Sequence, residues 1–177
     1  LSSATFTNAD LTGANLSSAN VAGSSWGGAN LANANLSSTN FALAHLGGVK
    51  SGWISNFPKK LPRGWKGENG YLVGPRADLT SANLANANLA NVDLTGATLT
   101  DSNLDGASLY GAKLKLVISG GIVGNPLSLP LDWQVSNGFL FGPYANLNGM
   151  NLSNSNLSSA NLKGAQFLGS ILHGVNL

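Results

Sequence analysis

The sequence predicts an all-β solenoid assembled from five-residue repeats. Three observations carry that expectation. An apolar residue recurs at every fifth position through most of the chain, only 9% of the 177 residues are charged, and the runs are interrupted at a fixed interval of 68 residues. Ordinary soluble domains carry about 25% charged residues. Polar low-complexity chains are often disordered, but this one is 43% hydrophobic and its leucines are evenly spread. That distribution suits a chain that buries small, regular increments along its length.

The first run places apolar residues at Leu1, Phe6, Leu11, Leu16, Val21, Trp26, Leu31, Leu36, Phe41 and Leu46. The second runs from Leu79 to Leu114 and the third from Leu147 to Leu177, making 25 matches in the three blocks. A helix would repeat at 3.6 residues and an exposed strand at two, so neither explains the pattern. The residue two before the apolar one is usually small, as at Ala14, Ala19, Ser24, Ala82 and Ala87, and the residue just before it is usually Asn or Asp. Trp26 occupies a position that usually takes Leu or Phe. The small residues around it either make room for the indole or turn it outward.

The resulting unit, Ala-Asn/Asp-Leu-x-x, is seen in Ala14-Asn15-Leu16-Ser17-Ser18 and Ala82-Asn83-Leu84-Ala85-Asn86. It resembles the pentapeptide-repeat family over about 125 of the 177 residues. The resemblance implies a right-handed quadrilateral β-helix, with four pentapeptides per coil and the central and small residues pointing inward. Inward positions then include Leu11, Leu16, Leu31, Leu36, Phe41, Leu84, Leu89, Leu94, Leu99, Leu104, Leu152, Leu157, Leu162 and Phe167. Each buried leucine contributes roughly 1.5–3 kcal/mol. Coils stacked at about 4.8 Å place residues twenty apart above one another: Asn15 on Asn35, Asn20 on Asn40, Asn83 on Asn103, and Asp93 under Lys113.

The domain reading is one solenoid over residues 1–177, with repeat blocks 1–48, 77–116 and 145–177 and inserts at about 49–76 and 117–144. Because the repeat already runs at Leu1 and still runs at Leu177, the chain reads as a piece of a longer repeat protein. The inserts are copies of one another, since Ser51–Asp78 and Ser119–Asn146 are identical at 13 of 28 positions. Each carries Leu-Pro-x-x-Trp-x-x-x-Asn-Gly-aromatic-Leu-x-Gly-Pro, with Asn-Gly as a hairpin turn signal. The spacing of 33 residues from Leu46 to Leu79 predicts a 13-residue excursion, roughly 58–71 in the first insert and 126–139 in the second, protruding as a loop or hairpin and rejoining at Gly-Pro.

Candidate binding residues fall in these inserts: Lys59, Lys60, Arg63, Trp65 and Tyr71 in the first, Trp133 and Phe139 in the second. The aromatics either form a platform for a sugar ring or a partner loop, or pack the excursion against the solenoid wall, which is the stronger expectation. Six of the nine Lys and Arg residues lie in or beside the first insert: Lys50, Lys59, Lys60, Arg63, Lys66 and Arg76. Such a cluster attracts anions. The second insert has Leu127, Ser128, Leu131, Gln134 and Tyr144 where the first has its basic residues, so a solvated charged face is the plainer reading.

No catalytic, metal or cofactor residues are assigned. The chain has no cysteine, and His45 and His173 are far apart in a linear architecture. No nucleophile, base and pocket converge, so the chain is not expected to be an enzyme. No apolar run approaches a membrane span.

The resemblance also implies a possible role as an acidic mimic of duplex DNA that regulates a type II topoisomerase such as gyrase. The formal net charge here is +2, which removes the electrostatic basis for that role. An ice- or polysaccharide-binding face is a further alternative, but the threonines form no long file. The leading expectation is a non-catalytic scaffold, a stiff rod presenting loops to a protein or glycan partner. Nucleic acid is not the expected partner, self-association through open coil edges is allowed, and the low charge suits an extracellular or surface setting.

Overall fold

The computed structural model describes all residues, 1–177. They fall into two compact units, Leu1–Leu79 and Thr80–Leu177. No helix forms, and none is long and apolar enough to cross a membrane. In each unit the backbone runs through sides of five residues, and residues twenty apart form parallel bridges. Unit 1 links Asp10 to Asn30 and Asn30 to Lys50, and unit 2 links Asn83 to Asn103 and Asn103 to Val123. A twenty-residue rise through five-residue sides is a four-sided coil.

The consensus follows from hydrogen bonding. In the side 31–35, the Leu31 N–H donates to the Lys50 carbonyl (2.8 Å), Asn33 to Gly52 (2.8 Å), and Asn35 to Ala14 (3.0 Å). The Ala34 N–H closes a turn onto the Leu31 carbonyl (3.1 Å). Ala32 donates to Oδ1 of Asn30 (3.1 Å). Every N–H of the side is thus paired, as a buried backbone requires. Asn or Asp precedes the central residue because its side chain serves as the acceptor that the first turn residue lacks. The second turn residue has positive φ, as at Gly13 (69°) and Asn33 (58°), the signature of a type II turn that favours Gly and Asn. Asn side chains also pair between coils, Asn35 to Asn15 (3.3 Å) and Asn40 to Asn20 (3.1 Å).

The core is the file of central residues with the small residue two before each. Of the predicted inward residues, Leu16, Leu31, Leu36, Phe41, Leu84, Leu89, Leu94, Leu99, Leu104, Leu152 and Leu157 are buried. Leu11, Leu162 and Phe167 are half-buried. Trp26 is fully buried, stacked on Phe6 at 4.2 Å and tilted against Phe41 at 5.1 Å. Its indole N–H donates to Ser24 Oγ (2.6 Å), and Ser24 donates to the Val21 carbonyl, so the small neighbours make room. Thr39 and Ser102 replace the inward alanine by returning their hydroxyls to the Leu16 and Leu99 carbonyls, each at 2.8 Å.

The inserts depart from the expected excursion in place and direction. Lys60 still bridges Asn40, and Ser128 bridges Ser108, so residues 51–60 and 119–128 remain in the coil. The departing segments are 61–73 and 129–141, which take the place of one five-residue side. Each opens with a turn closed by the Trp65 or Trp133 N–H on the Pro62 or Pro130 carbonyl. A hairpin follows. In unit 1, β1 (Lys66–Glu68) pairs antiparallel with β2 (Tyr71–Val73), and in unit 2, β3 (Gln134–Ser136) pairs with β4 (Phe139–Phe141). The Asn-Gly turns lie at the tips, with φ of 45° and 82° at Asn69 and Gly70. The coil resumes at Gly74-Pro75, since Asp78 bridges Lys50, and at Gly142-Pro143, since Asn146 bridges Ile118.

The hairpins do not protrude as whole loops, because β2 is entirely buried. Leu72 joins the unit 1 core and donates its N–H to Ser51 Oγ (2.9 Å). Leu140 does the same to Ser119 Oγ (2.9 Å) and is fully buried. Ser51 and Ser119 stand where a central leucine belongs, so the hairpin supplies the side chain that the coil omits.

Candidate functional site

A surface groove of about 490 Å³ opens on unit 1, lined by Arg63, Arg76, Trp65, His45 and both Pro62 and Pro75, with Thr7, Ser25, Gly27 and Gly47 among its remaining residues. The coil positions build it. Trp65 follows His45 by twenty residues, as His45 follows Ser25, so one column supplies one wall. Gly27 and Gly47 supply a floor without side chains, and a Cβ on Gly47 would lie 3.5 Å from Arg76 Cβ. Arg63 lies in the turn that opens the departing segment, and Arg76 in the turn after the coil resumes.

Trp65 is held from behind. A Cβ on Gly74 would lie 2.3 Å from Trp65 Cδ2, so the indole sits directly on the glycine. The indole is half-buried: it packs against the unit 1 core and also borders the groove. Arg63 and Arg76 are exposed, and neither guanidinium forms an ion pair. Two guanidinium groups without a carboxylate partner, beside an aromatic and the Thr7 and Ser25 hydroxyls, are chemically suited to an anionic, hydrogen-bonding ligand.

The structure divides the other predicted residues. Lys59 and Lys60 are exposed but do not line this groove. Lys66 is committed to Glu68 at 2.7 Å. Tyr71 is buried, its ring edge 3.1 Å from where a Gly52 Cβ would stand, so it packs the hairpin. Trp133 sits on Gly142 as Trp65 sits on Gly74, and half-buried Phe139 lies 6.2 Å from Phe141, both against the unit 2 core. Sequence reasoning passed over His45. The signal for it was the twenty-residue spacing to Trp65.

Unit 2 fills the corresponding positions differently. Tyr144 and Lys115 stand in place of Arg76 and Gly47, with Lys115 Nζ 5.2 Å from the tyrosine ring centre. Lys113 and Asp93 replace His45 and Ser25 and pair at 3.6 Å. Burial raises the Asp93 pKa, but hydrogen bonds from Thr95 and the Lys113 charge outweigh it and leave the carboxyl below its ordinary range.

The coil geometry and repeat unit define the class. A profile described as pentapeptide repeats matches residues 14–50, 77–115 and 144–177 in eight copies, more than half of the chain. The protein belongs to the pentapeptide-repeat family, and its fold is the right-handed quadrilateral β-helix. Among solved structures it is similar to HetL, a pentapeptide repeat protein involved in heterocyst differentiation regulation from the cyanobacterium Nostoc sp. strain PCC 7120. The two are 26% identical, with 100% of this chain and 69% of that chain covered, at a TM-score of 0.35. No curated protein matches the chain.

Proposed function

We propose that the protein is a non-catalytic interaction scaffold whose contact surface for a glycan or protein partner is the groove of unit 1. One observation carries the reading. Arg63 and Arg76 are thirteen residues apart in sequence, yet they line one groove with Trp65 and His45, and neither is neutralised by a carboxylate. The coil suits a holding role, because its side chains are fixed by stacked neighbours rather than by a mobile loop. Six basic residues in or beside this insert add a long-range field favouring acidic partners.

The test is saturable binding of the full chain to arrayed glycans and acidic peptides, repeated with the Arg63→Leu/Arg76→Tyr variant. The reading expects retention by the native chain, loss in the variant, and recovery of the ligand chemically unchanged. Turnover of a retained ligand would overturn the non-catalytic assignment. Inhibition of gyrase supercoiling by sub-micromolar protein would replace the reading with topoisomerase regulation.

A further inference from the structure

We infer that the unit 1 groove is a binding site for an acidic saccharide, an oligosaccharide carrying carboxylate or sulfate groups. The inference rests on the groove being the contact surface and names the chemistry it takes. Three features point to it.

The cations are few and placed at two points. Only Arg63 and Arg76 among the Lys and Arg residues line the groove, which suits separated anionic substituents rather than a continuous phosphate track. Lys59 and Lys60 lie off it, and Lys66 is paired to Glu68. A nucleic-acid strand would need those lysines along its path.

The remaining lining suits a hydroxylated ring. Thr7 and Ser25 offer hydroxyls, His45 an imidazole, and Trp65 a half-buried indole held flat against Gly74. An amphipathic ring with one apolar face and a polar rim meets both kinds of contact. The Arg76 stem lies along Gly47, its Cβ and Cδ each 3.5 Å from where a Gly47 Cβ would stand, and Pro62 and Pro75 stiffen the two turns that carry the arginines.

The second unit supplies an internal contrast. At the positions of Arg63, Arg76, Gly47 and His45 it carries Leu131, Tyr144, Lys115 and Lys113, and the lysines there are already engaged with Tyr144 and Asp93. The Arg63→Leu/Arg76→Tyr variant therefore places in unit 1 the residues that the same repeat already accommodates in unit 2, so the fold is retained while the groove loses its cations.

The experiment is calorimetric titration of the full chain with four probes of similar length: a tetragalacturonate, a sulfated chondroitin tetrasaccharide, neutral cellotetraose, and a single-stranded tetranucleotide. Binding of either or both acidic saccharides is expected, with at least about tenfold weaker binding of cellotetraose, and the galacturonate and sulfate arms show which anion is taken. Arg63→Leu/Arg76→Tyr is expected to weaken binding at least about tenfold, while Lys59→Ala/Lys60→Ala, which removes the same charge, changes it less than about twofold. Binding of the acidic saccharides should weaken as salt rises, because both arginine contacts are charge–charge pairs at an exposed surface. Equal binding of cellotetraose would overturn the role of the anion. Tetranucleotide binding as tight as the saccharides', and weakened by the Lys59/Lys60 substitutions, would overturn the inference in favour of nucleic acid. If no saccharide binds but an acidic peptide is held by the native groove and lost in the arginine variant, the saccharide inference fails and the scaffold reading stands.

Discussion

Leu140→Ala tests whether the hairpin belongs to the core. Leu140 is fully buried, on a strand that sequence spacing alone would put on the surface, and its N–H is bonded to Ser119 Oγ at 2.9 Å. If its side chain fills the space left by the missing central leucine at Ser119, truncation leaves a cavity. The expected cost is about 2–5 kcal/mol, as for other buried leucines, and close to that of Leu84→Ala in a regular side. Leu131→Ala is the control, because Leu131 is 89% exposed and its loss should stay within about 0.5 kcal/mol. Ser119→Ala separates the polar contribution: it leaves the buried Leu140 N–H without its acceptor, at about 1–3 kcal/mol. Urea unfolding followed by circular dichroism gives the midpoints. Because stacked coils can unfold in parts, hydrogen exchange at the Ile122 amide, which donates to the Gly138 carbonyl at the hairpin tip (2.9 Å), locates the loss. A Leu140→Ala midpoint indistinguishable from that of Leu131→Ala would refute the buried hairpin.

Three other outcomes follow from the same geometry. Gly74→Ala should cost about 1–3 kcal/mol in thermal unfolding and shift Trp65 fluorescence, since the new Cβ would fall 2.3 Å from the indole. Asn35→Ala removes the acceptor for the Ser37 N–H (3.1 Å) and the donor to Asn15, and should lower stability by about 1 kcal/mol, while Asn35→Asp keeps the turn acceptor and costs less. The depressed Asp93 pKa means its contribution is present above the ordinary carboxylate pKa and is lost as pH falls through the lower folded value. Asp93→Asn should flatten that part of the acid-stability profile, as read by urea midpoints across acidic pH.

The coil was legible because each five-residue side must bury one large residue and cap one turn, so an apolar residue recurs at every fifth position of the regular blocks and Asn or Asp usually precedes it. The path through the inserts was masked for the complementary reason. Ser51, Asn56 and Gly74 stand at central positions in unit 1, and Ser119, Gly124 and Gly142 in unit 2. The space goes to Leu72 and Leu140 or to the Trp65 and Trp133 rings packed on the glycines. A periodicity search sees the missing leucines as a missing coil, although Lys60 and Ser128 still bridge in register.

The groove was only partly legible. Arg63 and Trp65 stood out by type, but their proximity to Arg76 depends on removing the eight hairpin residues 66–73 from the count, which leaves the arginines five apart on successive sides. His45 is placed by stacking, which no local motif announces. The same counting separates Lys59 and Lys60 from the groove, although sequence proximity grouped them with Arg63.

Recognition confined to the unit 1 groove would leave the matching positions of unit 2 untouched by ligand. The most direct measurement is chemical-shift mapping of the ¹⁵N-labelled full chain titrated with the acidic tetrasaccharides. Binding in that groove should shift the Trp65 indole N–H and the Gly27, Gly47 and Arg76 amides and leave Thr95, Lys115 and Tyr144 unmoved. Equal shifts at both sets, or shifts centred on Lys59 and Lys60 with the Trp65 indole unchanged, would contradict it.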